Sequence, residues 1–262
     1  MSKRLVDKRI FITGAAQGIG QAIAKACLNE GANIFLVDID GKMLERTCYK
    51  LGANDRIGWC EADVSNESSI FSAVKKAEQK FGSINGLINN AGINVFNEPL
   101  QTSNDDWNRC FDVNVKGAWN CSKALLKNMI ANQNGVILNI ASTHSFTIIP
   151  HTFPYPLAKH ALHGMTKSLA LEYASSGIRV NALAPGYVET QKVRDYWESF
   201  PDPEAAKQTT LSMHPGRRIA TAEEIAMAAV FLISDECPFI NAACLIADGG
   251  LSIEMHPDPI EQ

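Results

Sequence analysis

The chain has 262 residues, 46% of them hydrophobic and 20% charged, with a formal net charge of −4 and a pI near 5.9. That length suits one large α/β core, and the charge gives no basic footprint for nucleic acid. The N-terminus, M-S-K-R-L-V-D-K-R, is polar, and no apolar run approaches the ~18–20 residues needed to span a bilayer, so neither an export signal nor a membrane anchor is expected.

Residues 9–13, R-I-F-I-T, read as a strand. They run into G-A-A-Q-G-I-G and then the helical Q-A-I-A-K-A-C-L-N-E, with Gly31 as a stop signal. Gly14, Gly18 and Gly20 lack side chains, so the backbone can turn tightly and approach a pyrophosphate at the helix N-terminus, where free N–H groups and the helix dipole favour an anion. The next strand, N-I-F-L-V, ends at Asp38. A carboxylate there accepts hydrogen bonds from an adenosine ribose and repels a 2′-phosphate, so the cofactor expected is NAD rather than NADP. Lys42 is the one nearby cation that argues otherwise.

The alternation then continues. Residues 57–62 form a third strand ending at Asp63-Val64, residues 67–80 a helix, and G-L-I-N a fourth strand leading into Asn89-Asn90-Ala91-Gly92. A long helix follows from about Asn104 to Met129, then G-V-I-L-N-I-A-S as strand five, the Tyr155 helix, I-R-V-N-A-L-A-P-G as strand six, a helix after Thr221, and C-L-I-A before Asp248 as strand seven. The expected fold is α/β, a single Rossmann-type domain over residues 1–262 whose doubly wound parallel seven-stranded sheet has helices on both faces. Ligands in such a sheet lie beyond the carboxyl ends of the strands. Gly14, Asp38, Asp63, Asn89, Ser142 and Pro185 all follow inferred strands and so converge on one edge.

The seven cysteines, Cys27, Cys48, Cys60, Cys110, Cys121, Cys237 and Cys244, are odd in number and lack C-x-x-C spacing. They read as reduced core thiols in a cytoplasm rather than disulfides or zinc ligands. His160 and His163 stand three apart on a helix, but no third ligand is evident and no metal is expected.

The chemistry is expected between Ser142 and Lys159. Tyr155 and Lys159 stand four apart, which makes them neighbours on one helix face. A tyrosine titrates near pH 10, and a nearby cation lowers that value, so the pair can exchange protons. Pro156 pushes the residue before it out of the helical region but is tolerated in a first turn, so the helix should begin at about Pro156 with Tyr155 at its cap. On the residues alone, Ser142 is equally a turn cap and Asn114 equally a solvent-facing helix residue. Residues 187–217 are aromatic and charged, and read as a lid over the substrate. Tyr187, Tyr196, Trp197 and Phe200 could offer it flat faces, and His144, His151 and Arg194 could offer donors; loop packing and solvated charge are the alternative.

In their order, T-G-A-A-Q-G-I-G at 13–20, N-N-A-G at 89–92, Asn114, Ser142, Tyr155-x-x-x-Lys159 and P-G-Y-V-E-T at 185–190 resemble the short-chain dehydrogenase/reductase family over about residues 5–250. The resemblance implies that Tyr155 exchanges a proton with the substrate oxygen, which Ser142 holds. It also implies that Lys159 binds the nicotinamide ribose and that Asn114 positions a water leading to solvent. Cofactor contacts would come from Gly14, Gln17, Gly18, Ile19, Gly20, Asp38, Ile39, Asp63, Val64, Asn90, Ala91, Gly92, Tyr155, Lys159, Pro185, Gly186, Val188 and Thr190. Residues 142–160 and 185–250 look most like family members that oxidise monosaccharides at C1, with His144, His151, Tyr187, Arg194 and Trp197 toward the sugar. Polyol or other secondary-alcohol dehydrogenases and 3-oxoacyl thioester reductases are the alternatives within the family. A dinucleotide sensor without chemistry is the alternative outside enzymes, and it would be free to lose Ser142, Tyr155 or Lys159. The family's usual homotetramer would draw contacts from Met129, Leu162, Met165 and Leu169.

Overall fold

A computed structural model describes residues 3–52 and 54–253; the outermost parts of the expected 1–262 domain lie outside the described residues. Apolar residues at alternate positions build β1 (Arg9–Thr13), where Ile10 and Ile12 enter one core layer and Phe11 the other. Then follow α1 (Gly18–Asn29), β2 (Asn33–Asp38), α2 (Gly41–Lys50), β3 (Ile57–Glu61), α3 (Glu67–Phe81) and β4 (Gly86–Asn89). After a short strand β5 (Phe96–Asn97) come α4 (Asn104–Phe111), α5 (Gly117–Ala131), β6 (Gly135–Ile140), β7 (Phe153–Pro154), α6 (Tyr155–Tyr173) and β8 (Ile178–Pro185). The last elements among the described residues are β9 (Val188–Glu189), α7 (Gln191–Glu198), α8 (Pro203–Ser212), β10 (Ala220–Thr221), α9 (Ala222–Ile233) and β11 (Cys244–Ala247).

Seven of these strands form one sheet in the order β11-β8-β6-β4-β1-β2-β3, and every pair in it is parallel. The strands are buried on both faces: α1 and α9 pack with Ile12, Leu36 and Leu138 on one side, α3, α5 and α6 with Phe35, Leu87 and Val180 on the other. This is the doubly wound α/β sheet that the strand–helix alternation predicts. Connections run in opposite directions from β1 and β4, so the switch point lies between them, and the glycine turn and Asn90 flank it.

Two short pairings position the site. Antiparallel β5 and β7 tie the loop after β4 to the residues just ahead of Tyr155. Parallel β9 and β10 pin the two ends of the segment carrying α7 and α8 against each other, so that segment is a closed excursion with helices of its own. The sequence read it only as a lid, and it did not read α2, which Asp40 caps by accepting from the Met43 N–H.

The long helix expected from Asn104 to Met129 is interrupted by a π-helical turn, Asp112–Lys116, between α4 and α5. Such turns cluster at functional sites, and this one holds Asn114. Met129, Leu162 and Leu169 do not form an outer contact face: all three are buried, and Met165 is partly buried against the core that holds Met129 and Leu169. Their spacing marks the helix stripe that meets the sheet. The six described cysteines outside β11 are buried and unpaired, and Cys244 is half-buried and unpaired, as core thiols should be. Among the described residues no helix is long and apolar enough to cross a membrane, and no group of His, Cys, Asp or Glu could hold a metal ion.

Candidate active site

The glycine turn closes around β1's carboxyl end. Gly14 and Gly18 have φ of 63° and 58°, a region that only glycine enters freely. A side chain on Gly20 would run into the Gly14 carbonyl oxygen. Asn90 braces the turn from β4's end by donating its amide hydrogens to the carbonyls of Thr13 (3.0 Å) and Gly14 (2.9 Å). Thr13 Oγ1 accepts from the N–H groups of Asn90 and Ala91 at 3.0 Å each. With both amide hydrogens on the turn, Asn90 shapes the cradle rather than offering those donors to a ligand. Gln17 precedes α1 in extended conformation and makes no side-chain cap, so the first-turn N–H groups carry no side-chain acceptor from it.

Asp38 stands at the end of β2. Its carboxylate accepts from the N–H of Ala16 (3.0 Å) and of Asp40 (3.1 Å), which fixes it beside the glycine turn. Ile39 next to it is exposed. Asp63 lies at the neighbouring strand end and accepts from the Ser65 N–H and hydroxyl at 2.9 and 2.8 Å. Val64 is buried against Gly117 at the start of α5. Ile19 packs on the core beneath the turn. Across the turn, a Cβ on Gly18 would stand 3.4 Å from the Thr190 methyl. Pro185 and Val188 are buried, and Gly186 passes so close to Asp248 that a Cβ there would come within 2.9 Å of it. These residues fit a dinucleotide: a bare glycine cradle at a helix N-terminus beside a strand-end carboxylate.

The second cluster is built on α6. The helix starts at Tyr155 itself, one residue earlier than expected, with Pro156 taking a first-turn position where it loses no hydrogen bond. Lys159 is buried one turn on; its ammonium donates to the Ile140 carbonyl (2.9 Å) and lies 5.5 Å from the centre of the Tyr155 ring. Ser145 Oγ donates to the Lys159 carbonyl (2.9 Å), fastening α6 to the turn after β6. Ser142 both caps that turn, accepting from the His144 N–H at 3.2 Å, and faces the Tyr155 phenol. Asn114 is 1% exposed. Its amide donates to the carbonyls of Cys110 and Ile93 (2.9 and 3.0 Å), and its Oδ1 accepts from the Ile93 N–H at 3.2 Å. A Cβ on Gly92 would stand 2.8 Å from Asn114 Oδ1 and 3.7 Å from Lys159 Nζ, so this glycine leaves the space the two share.

Charge behaves differently from the simple pairing the sequence suggests. Burial pushes the Tyr155 phenol up to about 12, and the Ser142 hydroxyl pulls only partly the other way. Burial also pushes the Lys159 ammonium down to about 8. The ammonium sits over the ring and binds a backbone carbonyl rather than the phenol oxygen, so in the free protein desolvation outweighs its attraction for the phenolate.

Of the residues expected at the substrate, only His144 lies beside the phenol, its ring centre 5.6 Å from that of Tyr155, with Nδ1 buried and without a hydrogen-bond partner. Tyr187 is half-buried and packs edge-on against His214 at 5.7 Å. Trp197 is buried between α7 and α8, where its N–H donates to Thr210 Oγ1 (3.0 Å), so lid packing accounts for it. Arg194 is exposed and faces Glu189 at 3.4 Å. His151 is exposed beside Glu98 (3.3 Å) on the outer loop. The exposed Tyr196 and Phe200 pack on each other. Long polar side chains on a surface segment find local partners first, as His151 does at Glu98 and Arg194 at Glu189.

Three features escaped the sequence. Phe96 stacks edge-on to Tyr155 at 5.5 Å, brought there by β5–β7 pairing too short to show as a pattern. Lys192 reaches into the cleft from α7, one charge among many in its segment. A buried chain links Asn89 to Asn139 (2.8 Å) and Asn139 to Thr166 (2.9 Å), registering β4, β6 and α6; polar residues inside an apolar strand were its only signal.

A glycine cradle and a Ser–Tyr–Lys cluster facing one cleft at the carboxyl edge of a parallel sheet define a nicotinamide oxidoreductase. The chain belongs to the short-chain dehydrogenase/reductase family: the family profile described as Enoyl-(Acyl carrier protein) reductase matches residues 14–252. Among curated relatives it is 40% identical over 253 residues to the oxidoreductase UcpA of Escherichia coli K12, covering 95% of this chain and 96% of that one. It is 38% identical to 2-(S)-hydroxypropyl-CoM dehydrogenase 3 of Xanthobacter autotrophicus (96% and 99% covered) and 35% identical to glucose 1-dehydrogenase 2 of Bacillus subtilis (100% of both). Among solved structures it is similar to levodione reductase (TM-score 0.91, 31% identity, 95% and 99% covered). It is similar also to Thermoplasma acidophilum aldohexose dehydrogenase in ligand-free form (TM-score 0.89, 34%, 99% and 100%), and to ElxO with NADP bound (TM-score 0.87, 30%, 94% and 99%).

Proposed function

We propose that the protein oxidises a hydroxyl-bearing carbon with NAD as acceptor, and that the substrate is an aldose reacting at C1. The observation that carries the reaction class is the Ser142–Tyr155–Lys159 cluster, held by Ile140 and Ser145 across the cleft from the glycine cradle. A bound oxidised nicotinamide supplies the hydride acceptor and a positive charge near the phenol. Ser142 holds the substrate oxygen, and Tyr155 takes the hydroxyl proton. For the phenol to accept it, the phenol's own proton leaves first by way of Lys159, whose ammonium is easily deprotonated, toward Asn114 and solvent. In the reverse direction the protonated phenol is the acid, which suits its value of about 12 in the free protein. Asp38 supports NAD, since a 2′-phosphate would meet a carboxylate fixed by two backbone N–H groups. Unpaired thiols support a reducing cytoplasm.

The aldose reading is supported by the similarity to glucose 1-dehydrogenase 2 and to the aldohexose dehydrogenase. It is supported as well by the aromatic surface beside Tyr155, where the Phe96 and His144 rings stand edge-on or tilted to one another and to the phenol. The similarity to 2-(S)-hydroxypropyl-CoM dehydrogenase 3 favours a small secondary alcohol as the second reading. A panel of aldoses, deoxy analogues, polyols and 3-oxoacyl thioesters, followed by NADH absorbance, separates them. Each sugar hydroxyl removed should cost roughly 1–3 kcal/mol in kcat/KM. Polyols or thioesters reacting best, or deoxy sugars reacting as well as their parents, would remove the aldose assignment.

A further inference from the structure

Lys192 stands in the first turn of α7, two residues beyond Thr190, and its ammonium donates to the Gly92 carbonyl at 3.2 Å. The segment that carries it crosses above the glycine turn, because the Thr190 methyl lies 3.4 Å from where a Gly18 Cβ would stand. The lid thus reaches over the mouth of the cleft and touches the loop after β4 on the far side. The ammonium has Asp38 on its adenosine side and Lys159 on its catalytic side as charged neighbours.

This is an unusual resting place for a lysine. Desolvation lowers its affinity for a proton, and the attraction of Asp38 only partly offsets that. Its one hydrogen-bond acceptor is a neutral carbonyl on the loop after β4, although the side chain itself is exposed. The neighbouring lid cation Arg194 turns outward to Glu189 instead. A dinucleotide brings two negative charges on its diphosphate, against which the glycine turn offers only backbone N–H groups and a partial helix charge.

We propose that Lys192 is a diphosphate-binding residue of the lid: on cofactor binding it exchanges the Gly92 carbonyl for a phosphate oxygen and so ties α7 over the glycine turn. The assignment rests on the dinucleotide reading above. It makes the hold on α7 over the glycine turn depend on the diphosphate and not on the adenosine or the nicotinamide alone. The competing role for the same cation is neutralising Asp38 so that a 2′-phosphate is accepted.

Calorimetric titration of wild type, Lys192→Ala and Lys192→Arg with NADH, ADP-ribose, 2′-phospho-ADP-ribose and adenosine tests this without turnover. Lys192→Ala should bind NADH and ADP-ribose about tenfold more weakly, the low end for one hydrogen bond to a charged group because the stem is exposed. Adenosine binding should not change, and Lys192→Arg should recover most of the loss. Equal affinity of wild type and Lys192→Ala for ADP-ribose would overturn the proposal, as would an equal loss for adenosine or a loss confined to the 2′-phosphorylated ligand. Failure of wild type itself to bind NADH or ADP-ribose would instead sink the dinucleotide reading.

Discussion

Lys159→Met converts a buried ammonium into an apolar side chain of similar length, and the structure sets both the sign and the size of its effect on stability. Folding lowers the Lys159 pKa from an ordinary 10.5 to about 8, and burial is the main cause. Below pH 8 both folded and unfolded chains hold the proton, and the folded state bears the whole desolvation penalty. As pH rises through 8 the folded chain releases the proton while the unfolded chain keeps it, so the penalty is progressively relieved up to pH 10.5. The full relief is about 3 kcal/mol, and about 2 kcal/mol of it falls between pH 7 and 9.5. Burial of Tyr155 acts in the opposite sense, but mainly above pH 10, where the unfolded phenol ionises and the folded one does not. Urea unfolding of wild type and Lys159→Met at pH 7 and 9.5 isolates the Lys159 contribution, because the other titrating groups cancel in the difference. Wild type should gain about 2 kcal/mol on Lys159→Met over that interval. A constant difference between the two proteins would show that Lys159 keeps an ordinary pKa and that desolvation does not govern the cluster.

Two other outcomes follow from the geometry. Asp38→Asn keeps an oxygen for the Ala16 N–H but removes the charge, so it should raise kcat/KM for NADP relative to NAD by about tenfold or more; an unchanged ratio, or a native preference for NADP, would remove the NAD assignment. Sedimentation at micromolar concentration should show self-association, with the homotetramer that the family resemblance implies as the expected species: Leu245 and Ile246 on the edge strand β11 and Phe239 before it are exposed and want cover, whereas a monomer would refute assembly.

The parallel sheet and its ligand edge were legible because buried strands read as apolar runs and the functional residues follow them directly, as Thr13-Gly14, Val37-Asp38 and Asn89-Asn90 do. The Tyr155–Lys159 neighbourhood was legible from helical spacing. What spacing could not carry was competition among local partners. Asn90 spends its amide on the turn, Trp197 on Thr210, and Arg194 on Glu189. The phenol's ionisation departs from the expectation for a similar reason: sequence shows that a cation is near but not that both groups are desolvated and that the ammonium donates its hydrogen bond to the Ile140 carbonyl. The π-helical turn at Asn114 and the approach of Phe96 depend on tertiary packing and leave no periodic trace.

The proton transfer assigned to Tyr155 is tested most directly by kcat of Tyr155→Phe, measured as NADH formation with the best aldose at saturating NAD. The substitution keeps the ring that packs on Phe96 and His144 and removes the hydroxyl that carries the exchangeable proton. A fall of at least ~10²-fold is the scale expected for loss of a general acid–base group. A near-native kcat would contradict the proton relay through Ser142, Tyr155 and Lys159.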